Sequence, residues 1–231
     1  MNPISSVSTE ELMQIALDLA GLEAIPEDSA IYVPGDRLRR VLFALDVGTA
    51  ELLLAQQSGY DAVIAHHPVG LAHRAWAVFE RHIPLLVEAG VPREVARQAI
   101  KPKLKALHVR GQASNYERVP MAARQLGIPF LNIHCPLDET GRRVMQQAID
   151  QALDADPGAT LGDLVDVLSA LPAAHRAETE IMALLGDPSA RAGKVVVAHG
   201  ALTNGGYHVA RACFDHGVDT VVYIHISPND L

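Results

Sequence analysis

Cysteine is scarce: Cys135 and Cys213 are the whole supply in 231 residues, so no disulfide framework can hold this chain together. Long apolar runs are missing too. None approaches the roughly 18 residues that a membrane-spanning helix needs. The opening Met1-Asn2-Pro3-Ile4-Ser5 has neither the basic nor the apolar segment of a secretory signal. The expectation is a cytoplasmic protein with no membrane partner. Basic charge is short as well, with 19 Lys and Arg against 27 Asp and Glu and a net charge of -8. That argues against a broad phosphate-binding surface, and so against nucleic acid as a partner, while leaving room for a local basic pocket. There is no GxGxxG or Walker-type loop, no CxxC pair and no HExxH helix. What is present is 49% hydrophobic residues, which excludes disorder and suffices for one sizeable core or two small ones. The unusual stock is eleven histidines, nearly one for each of the 14 prolines.

The hydrophobic pattern alternates between strands and helices. Ser8, with Glu11 three residues later, reads as a capping box. The helix behind it turns Leu12, Ile15, Ala16 and Leu19 to one face and ends at Gly21. A turn-rich stretch, 26–36, precedes the apolar run centred on Val41-Leu42-Phe43-Ala44. Thr49 is placed to cap a helix over 51–57, closed by Gly59, and Ala62-Val63-Ile64-Ala65 reads as a second buried strand. Strand, helix and strand in so short a span make a βαβ unit. Further helices are expected over 75–79, from Arg93 behind Pro92, over 121–126 up to Gly127, and around Val144, Ala148, Ile149 and Ala152. Residues 84–87 read as a short strand or a loop, and 128–134 as a strand. A proline-broken stretch, 154–193, carries helical segments at 161–168 and 177–185. The α/β pattern then resumes with a strand over 194–198, a helix near 205–216 burying Val209, Ala210, Cys213 and Phe214, and a strand over 218–224. The expected organisation is a first α/β portion over 1–153, a helical connection over 154–193, and the start of a second α/β portion over 194–231.

Two strand ends carry the chemistry. In open α/β folds ligands collect beyond the carboxyl ends of strands. Ala65-His66-His67-Pro68 sits there, and Pro68 interrupts the regular backbone so that adjacent histidines can share one site. Imidazole suits zinc, iron and other first-row metals. A hydrogen-bonded turn or a metal-free catalytic imidazole is the alternative. His134-Cys135-Pro136-Leu137-Asp138-Glu139 follows another strand. Asp138 can bind a metal with one oxygen or bridge two ions with both, or it can simply stabilise a helix start. Cys135 is either a soft ligand or a small buried thiol. Together the two blocks offer the mixture of imidazole and carboxylate that hydrolytic metal sites use. Residues 198–206 form a glycine-containing loop whose backbone donors can hold an anionic group, or which serves only as a tight turn.

These blocks, in this order, resemble the NIF3 family of dinuclear-metal-binding α/β proteins. The segment Asp61-Ala62-Val63-Ile64-Ala65-His66-His67-Pro68 is similar to its strongest motif. The supporting blocks are Gly35-Asp36 with Ala44-Leu45-Asp46, then His134-Cys135-Pro136-Leu137-Asp138 with Gly141, and Gly217-Val218-Asp219-Thr220-Val221-Val222-Tyr223-Ile224. The resemblance implies two α/β portions around a central metal-binding cleft. It implies two divalent ions (zinc, manganese or iron) held by His66, His67 and Asp138, with His134 close by as a supporting or substrate-contacting residue. It also implies a homo-oligomer, in the family usually a hexameric ring. In a segment beyond the late strand the family supplies a further histidine and acidic residue four positions apart, and this sequence reaches Leu231 before such a pair appears. The expectation is therefore that the C-terminal portion is incomplete.

The expected function is a dinuclear metal-dependent hydrolase acting on a small phosphorylated or nucleotide-like substrate, with His134 or His199 moving a proton. The alternative is a metal-binding regulatory or scaffold protein without catalytic activity.

Overall fold

The computed structural model describes residues 6–70, 72–199 and 202–231, without the side chains of residues 72 and 73. The opening pentapeptide, the His73 side chain, and Gly200 and Ala201 of the glycine-containing loop therefore lie outside the description. In chain order the first elements are α1 (Thr9–Ala20), β1 (Ala30–Val33), β2 (Val41–Ala44), α2 (Thr49–Gln57), β3 (Ala62–Ala65) and α3 (Ala72–Ala75). A 3-10 turn at Trp76–Arg81 leads to α4 (His82–Glu88), α5 (Arg93–Gln112), α6 (Arg118–Leu126), β4 (Phe130–Asn132) and α7 (Cys135–Ala155). The last are α8 (Leu161–Ser169), β5 (Val195–Val197), α9 (Gly206–Phe214) and β6 (Thr220–Val222).

The elements group into two compact units that are discontinuous in sequence. One comprises Met1–Arg81, Lys101–Thr140 and Gly200–Thr203; the other comprises His82–Ile100, Gly141–His199 and Asn204–Leu231. The proline-broken 154–193 stretch falls wholly within the second.

In the first unit a four-stranded sheet runs in the order β1-β4-β3-β2. Strands β2, β3 and β4 are parallel, and β1 lies antiparallel on β4. Every residue of β3 and β4 is buried, as a strand covered on both faces requires. The alternation of the pleat divides them. Val63, Ala65 and Phe130 pack with Leu52 and Ala55 of α2 and Val119 and Ala123 of α6. Ile64 and Leu131 pack with Met13, Ala16 and Leu17 of α1. The sheet is thus sandwiched between helical layers.

The capping box at α1 is present: the Ser8 N–H donates to Glu11 Oε2 at 2.7 Å, and the Glu11 N–H donates to Ser8 Oγ at 3.1 Å. The buried face of α1 differs from the expected one. Met13, Ala16, Leu17 and Ala20 face the sheet, while Ile15 and Leu19 are exposed. Apolar residues occur almost all round this helix, so periodicity admits two faces and the sheet selects one. Gly48, not Thr49, occupies the cap of α2, where its N–H donates to Glu51 Oε2 at 2.7 Å. Strand β1 lies inside the stretch read as turns, because Pro26 and Pro34 bracket only four extended residues.

In the second unit β5 and β6 pair in parallel. Ile149 of α7 and Leu164 and Leu168 of α8 pack with Val195 and Val197. The Gln146 side chain clamps the edge of β5, accepting from the Val197 N–H at 3.0 Å and donating to the Val195 carbonyl at 3.3 Å. Residues 84–87 are helical, not strand or loop, because Pro84 falls in the first turn of α4, where its missing N–H costs nothing. Residues 177–185 are not helical. Only Ile181 reaches the core there, and Met182, Leu184 and Leu185 remain exposed. A helix this short needs a buried face to persist. On α9, Val209 and Cys213 are buried as expected, whereas Phe214 is exposed.

Candidate metal centre

Beyond Ala65 the chain continues alongside β2 for two more residues. The His66 N–H donates to the Ala44 carbonyl at 2.8 Å, and the His67 N–H donates to the Leu45 carbonyl at 2.9 Å. Pro68 then turns it away. Neighbouring β4 ends at Asn132, and His134 leads directly into α7. Since β3 and β4 are adjacent and parallel, both histidine blocks emerge at the same sheet end. The ring centroids of His66 and His134 lie 4.7 Å apart, those of His66 and His67 5.2 Å, and those of His67 and His134 5.9 Å. One ring nitrogen from each lies within 4.8 Å of the others.

Each imidazole is tied back through Nδ1 to an oxygen. His66 faces the Ile133 carbonyl at 3.2 Å, His67 faces Asp46 Oδ1 at 2.8 Å, and His134 faces Asp28 Oδ2 at 2.7 Å. An oxygen that can only accept assigns the Nδ1 proton, so the neutral ring keeps its lone pair on Nε2. Backing of this kind fixes ring orientation and raises ligand basicity at metal-binding histidines. Asp138, in the first turn of α7, divides its two oxygens: Oδ1 lies 3.3 Å from His66 Nε2 and Oδ2 lies 3.6 Å from His134 Nε2. Three backed imidazoles with a carboxylate across two of them fit a divalent cation.

A buried polar frame holds these groups. Asp28 and Ser29 precede β1. The Ser29 hydroxyl accepts from the His134 N–H at 2.9 Å, and Asp28 Oδ1 accepts from the Cys135 N–H at 3.4 Å. The Asn132 amide donates to the Asp28 carbonyl at 2.7 Å. The Tyr32 hydroxyl donates to Asn132 Oδ1 at 2.5 Å and accepts from the Gly70 N–H at 3.0 Å. Gly70 is obligatory there, since an added Cβ would lie 2.3 Å from Tyr32 Cε1. The loop carrying His66 and His67 is thereby joined to the strand carrying His134.

Burial by itself would lower the His66 pKa. The hydrogen bond and charge of Asp138, the Ile133 carbonyl and the Asp28 charge outweigh burial and raise it above the ordinary 6.5. In metal-free protein the protonated His66–Asp138 contact therefore stabilises the fold fully below pH 6.5, and this stability is lost as the pH rises through the raised folded-state pKa. Proton and metal compete for Nε2, so metal affinity should weaken on acidification through the same range. In histidine NMR of the metal-free chain, the His66 midpoint should lie above 6.5 and fall in Asp138→Asn. A midpoint at or below 6.5 that ignores this substitution would exclude the contact.

The expected residues His66, His67, His134 and Asp138 converge. His134, expected as a supporting residue, stands among the donors. His199 falls in the second unit, buried just beyond β5, its ring edge-on to His225 at 5.4 Å. Cys135 is fully buried, and burial first, then the nearby Asp28 charge, pushes its thiol pKa up, which disfavours the thiolate a metal would need. Sequence reasoning missed Asp28, Ser29, Tyr32 and Asn132. Asp28 lies 106 positions from its imidazole partner, and no local pattern links them.

The fold is similar to the crystal structure of a NIF3 superfamily protein from Sphaerobacter thermophilus. The TM-score is 0.94 and the sequences are 48% identical, over 97% of this chain and 82% of that one. No protein-family model and no curated protein sequence matches the chain.

Proposed function

The chain belongs to the NIF3 superfamily, and from that premise we propose that it is a divalent-metal-dependent hydrolase acting on a small phosphorylated or nucleotide-like substrate. The observation that carries the reading is the set of three imidazoles with every Nδ1 tied back. His66 and His67 would hold two ions on either side of the cluster, and Asp138, with an oxygen turned to each of two imidazoles, is suited to the region between them. His134 stands beside them, oriented by the buried Asp28 carboxylate, and either completes the ligand set or accepts a proton from the attacking water. Bound cations would lower the pKa of water towards neutrality and polarise a phosphoryl oxygen. They would also reverse the local field, so a net charge of -8 is no bar to an anionic substrate.

The test is turnover by tag-free protein loaded with zinc, manganese or ferrous iron, against a panel of phosphomonoesters and nucleotides. Activity should require the metal and vanish with chelator. Asp138→Asn should lower kcat/KM by roughly a hundredfold or more, as loss of a positioned charge at a reacting centre does. Metal bound at full stoichiometry without turnover of any panel member would contradict the hydrolase reading and favour a regulatory or scaffold role.

A further inference from the structure

The three imidazoles are backed by oxygens of very different exposure. His134 and its partner Asp28 are buried, with side chains 7% and 0% exposed. His66 is 15% exposed and rests on the Ile133 carbonyl. His67 and its partner Asp46 stand in solvent, at 47% and 85%. Backbone pairing explains why these last two meet. The chain beyond β3 runs on beside the chain beyond β2, and the His67 N–H donates to the Leu45 carbonyl. The next residue, Asp46, then reaches the His67 ring, its Oδ1 lying 2.8 Å from Nδ1. Exposure decides what each backing contact can do. A buried carboxylate acts on its imidazole with little screening and holds the ring in one orientation. An exposed one is screened by water and salt, and its side chain must give up rotamers to keep the contact. Asp138 widens the difference. Its side chain is 10% exposed and turns Oδ1 to His66 and Oδ2 to His134.

We propose that the metal centre is built in two unequal halves: a tight one formed by His66, His134 and Asp138 over Asp28, and an exchangeable one formed by His67 over Asp46. The inference rests on the two-ion reading given above and adds its regulation. The tight half stays loaded, because its donors present the little-screened charges of Asp138 and Asp28 to a cation. The His67 half is open to water, which competes for the ion there, so it fills and empties with the free metal concentration. Asp46 is the positioning residue of this half and acts only through the His67 ring. A reaction that needs both halves loaded would then follow metal supply.

Zinc titration of the tag-free full chain against a competing chelator resolves the two binding steps. In the wild type the second zinc should bind at least about tenfold more weakly than the first. Asp46→Ala should weaken the second step by roughly tenfold and leave the first within about twofold, with circular dichroism and melting temperature unchanged. Asp46→Asn keeps an oxygen facing Nδ1 and should recover part of that loss. Asp28→Ala should show the opposite pattern, its first step weakened by about tenfold or more. Two steps of equal affinity in the wild type would overturn the inference and leave the two-ion reading standing. So would an Asp46→Ala variant that keeps the second step at wild-type affinity or weakens both steps alike. Uptake of one zinc or none at saturation would remove the two-ion reading itself, and the inference with it. If Asp46→Ala fails to fold, Asp46→Asn decides by the same pattern: the second step alone weakened supports the unequal halves, and any other result overturns them.

Discussion

Asp28→Ala should lower the melting temperature of the metal-free protein by roughly 10 °C. The carboxylate is fully buried and accepts from the His134 ring and the Cys135 N–H. Removing it leaves those donors without an acceptor, and breaking a buried charged partnership of this kind costs about 3–5 kcal/mol. For a domain of this size each kcal/mol corresponds to roughly 2–4 °C. Zinc affinity should fall by about tenfold to a hundredfold as well, because His134 loses the group that fixes its tautomer and orientation. Asp28→Asn keeps an oxygen facing the ring and should fall between wild type and Asp28→Ala on both measures. Calorimetry with competitive zinc titration reads both effects. A melting temperature within about 2 °C of wild type, a shift worth no more than roughly 1 kcal/mol, would mean that the frame beneath His134 carries little of the fold's stability.

His67→Ala should weaken metal binding by more than about a hundredfold, beyond what loss of a backing partner usually costs. His67 is the cleaner of the two strand-end substitutions. Its side chain is half-exposed and its ring faces the exposed Asp46, so the fold should be little affected. His66→Ala should be at least as damaging to binding, but it also removes the contacts to Ile133 and Asp138 and will cost some stability. Stoichiometry measured on tag-free protein separates the effects. Retention of the full metal complement in both variants would remove these histidines from the ligand set.

The parts of this molecule written in short stretches of sequence were readable, and the parts set by distant contacts were not. The capping box at Ser8, the stop of α6 at Gly127 and the continuous apolar run of β3 each depend on residues within one turn or one strand. The histidine pair was legible for the same reason, since a strand end and a following proline are local signals. The convergence of His134 with that pair required β4 to lie beside β3, which chain order suggests but does not state. Asp28 and Tyr32 were invisible because they act from β1 and the turn before it, a stretch whose prolines mask a four-residue strand. The face of α1 was misassigned because its apolar residues spread round the helix, which leaves Ile15 and Leu19 exposed. The helix expected at 177–185 fails for the opposite reason: its apolar residues find little core to pack against.

The central claim is that imidazoles tied back through Nδ1 present Nε2 of His66, His67 and His134 to a divalent cation. Anomalous diffraction from crystals saturated with manganese or zinc tests it most directly. The account predicts anomalous density on the Nε2 side of these three rings, within bonding reach of an Asp138 oxygen. Metal-saturated crystals with no anomalous density at that sheet end, or with density on the Nδ1 side of the rings, would contradict it.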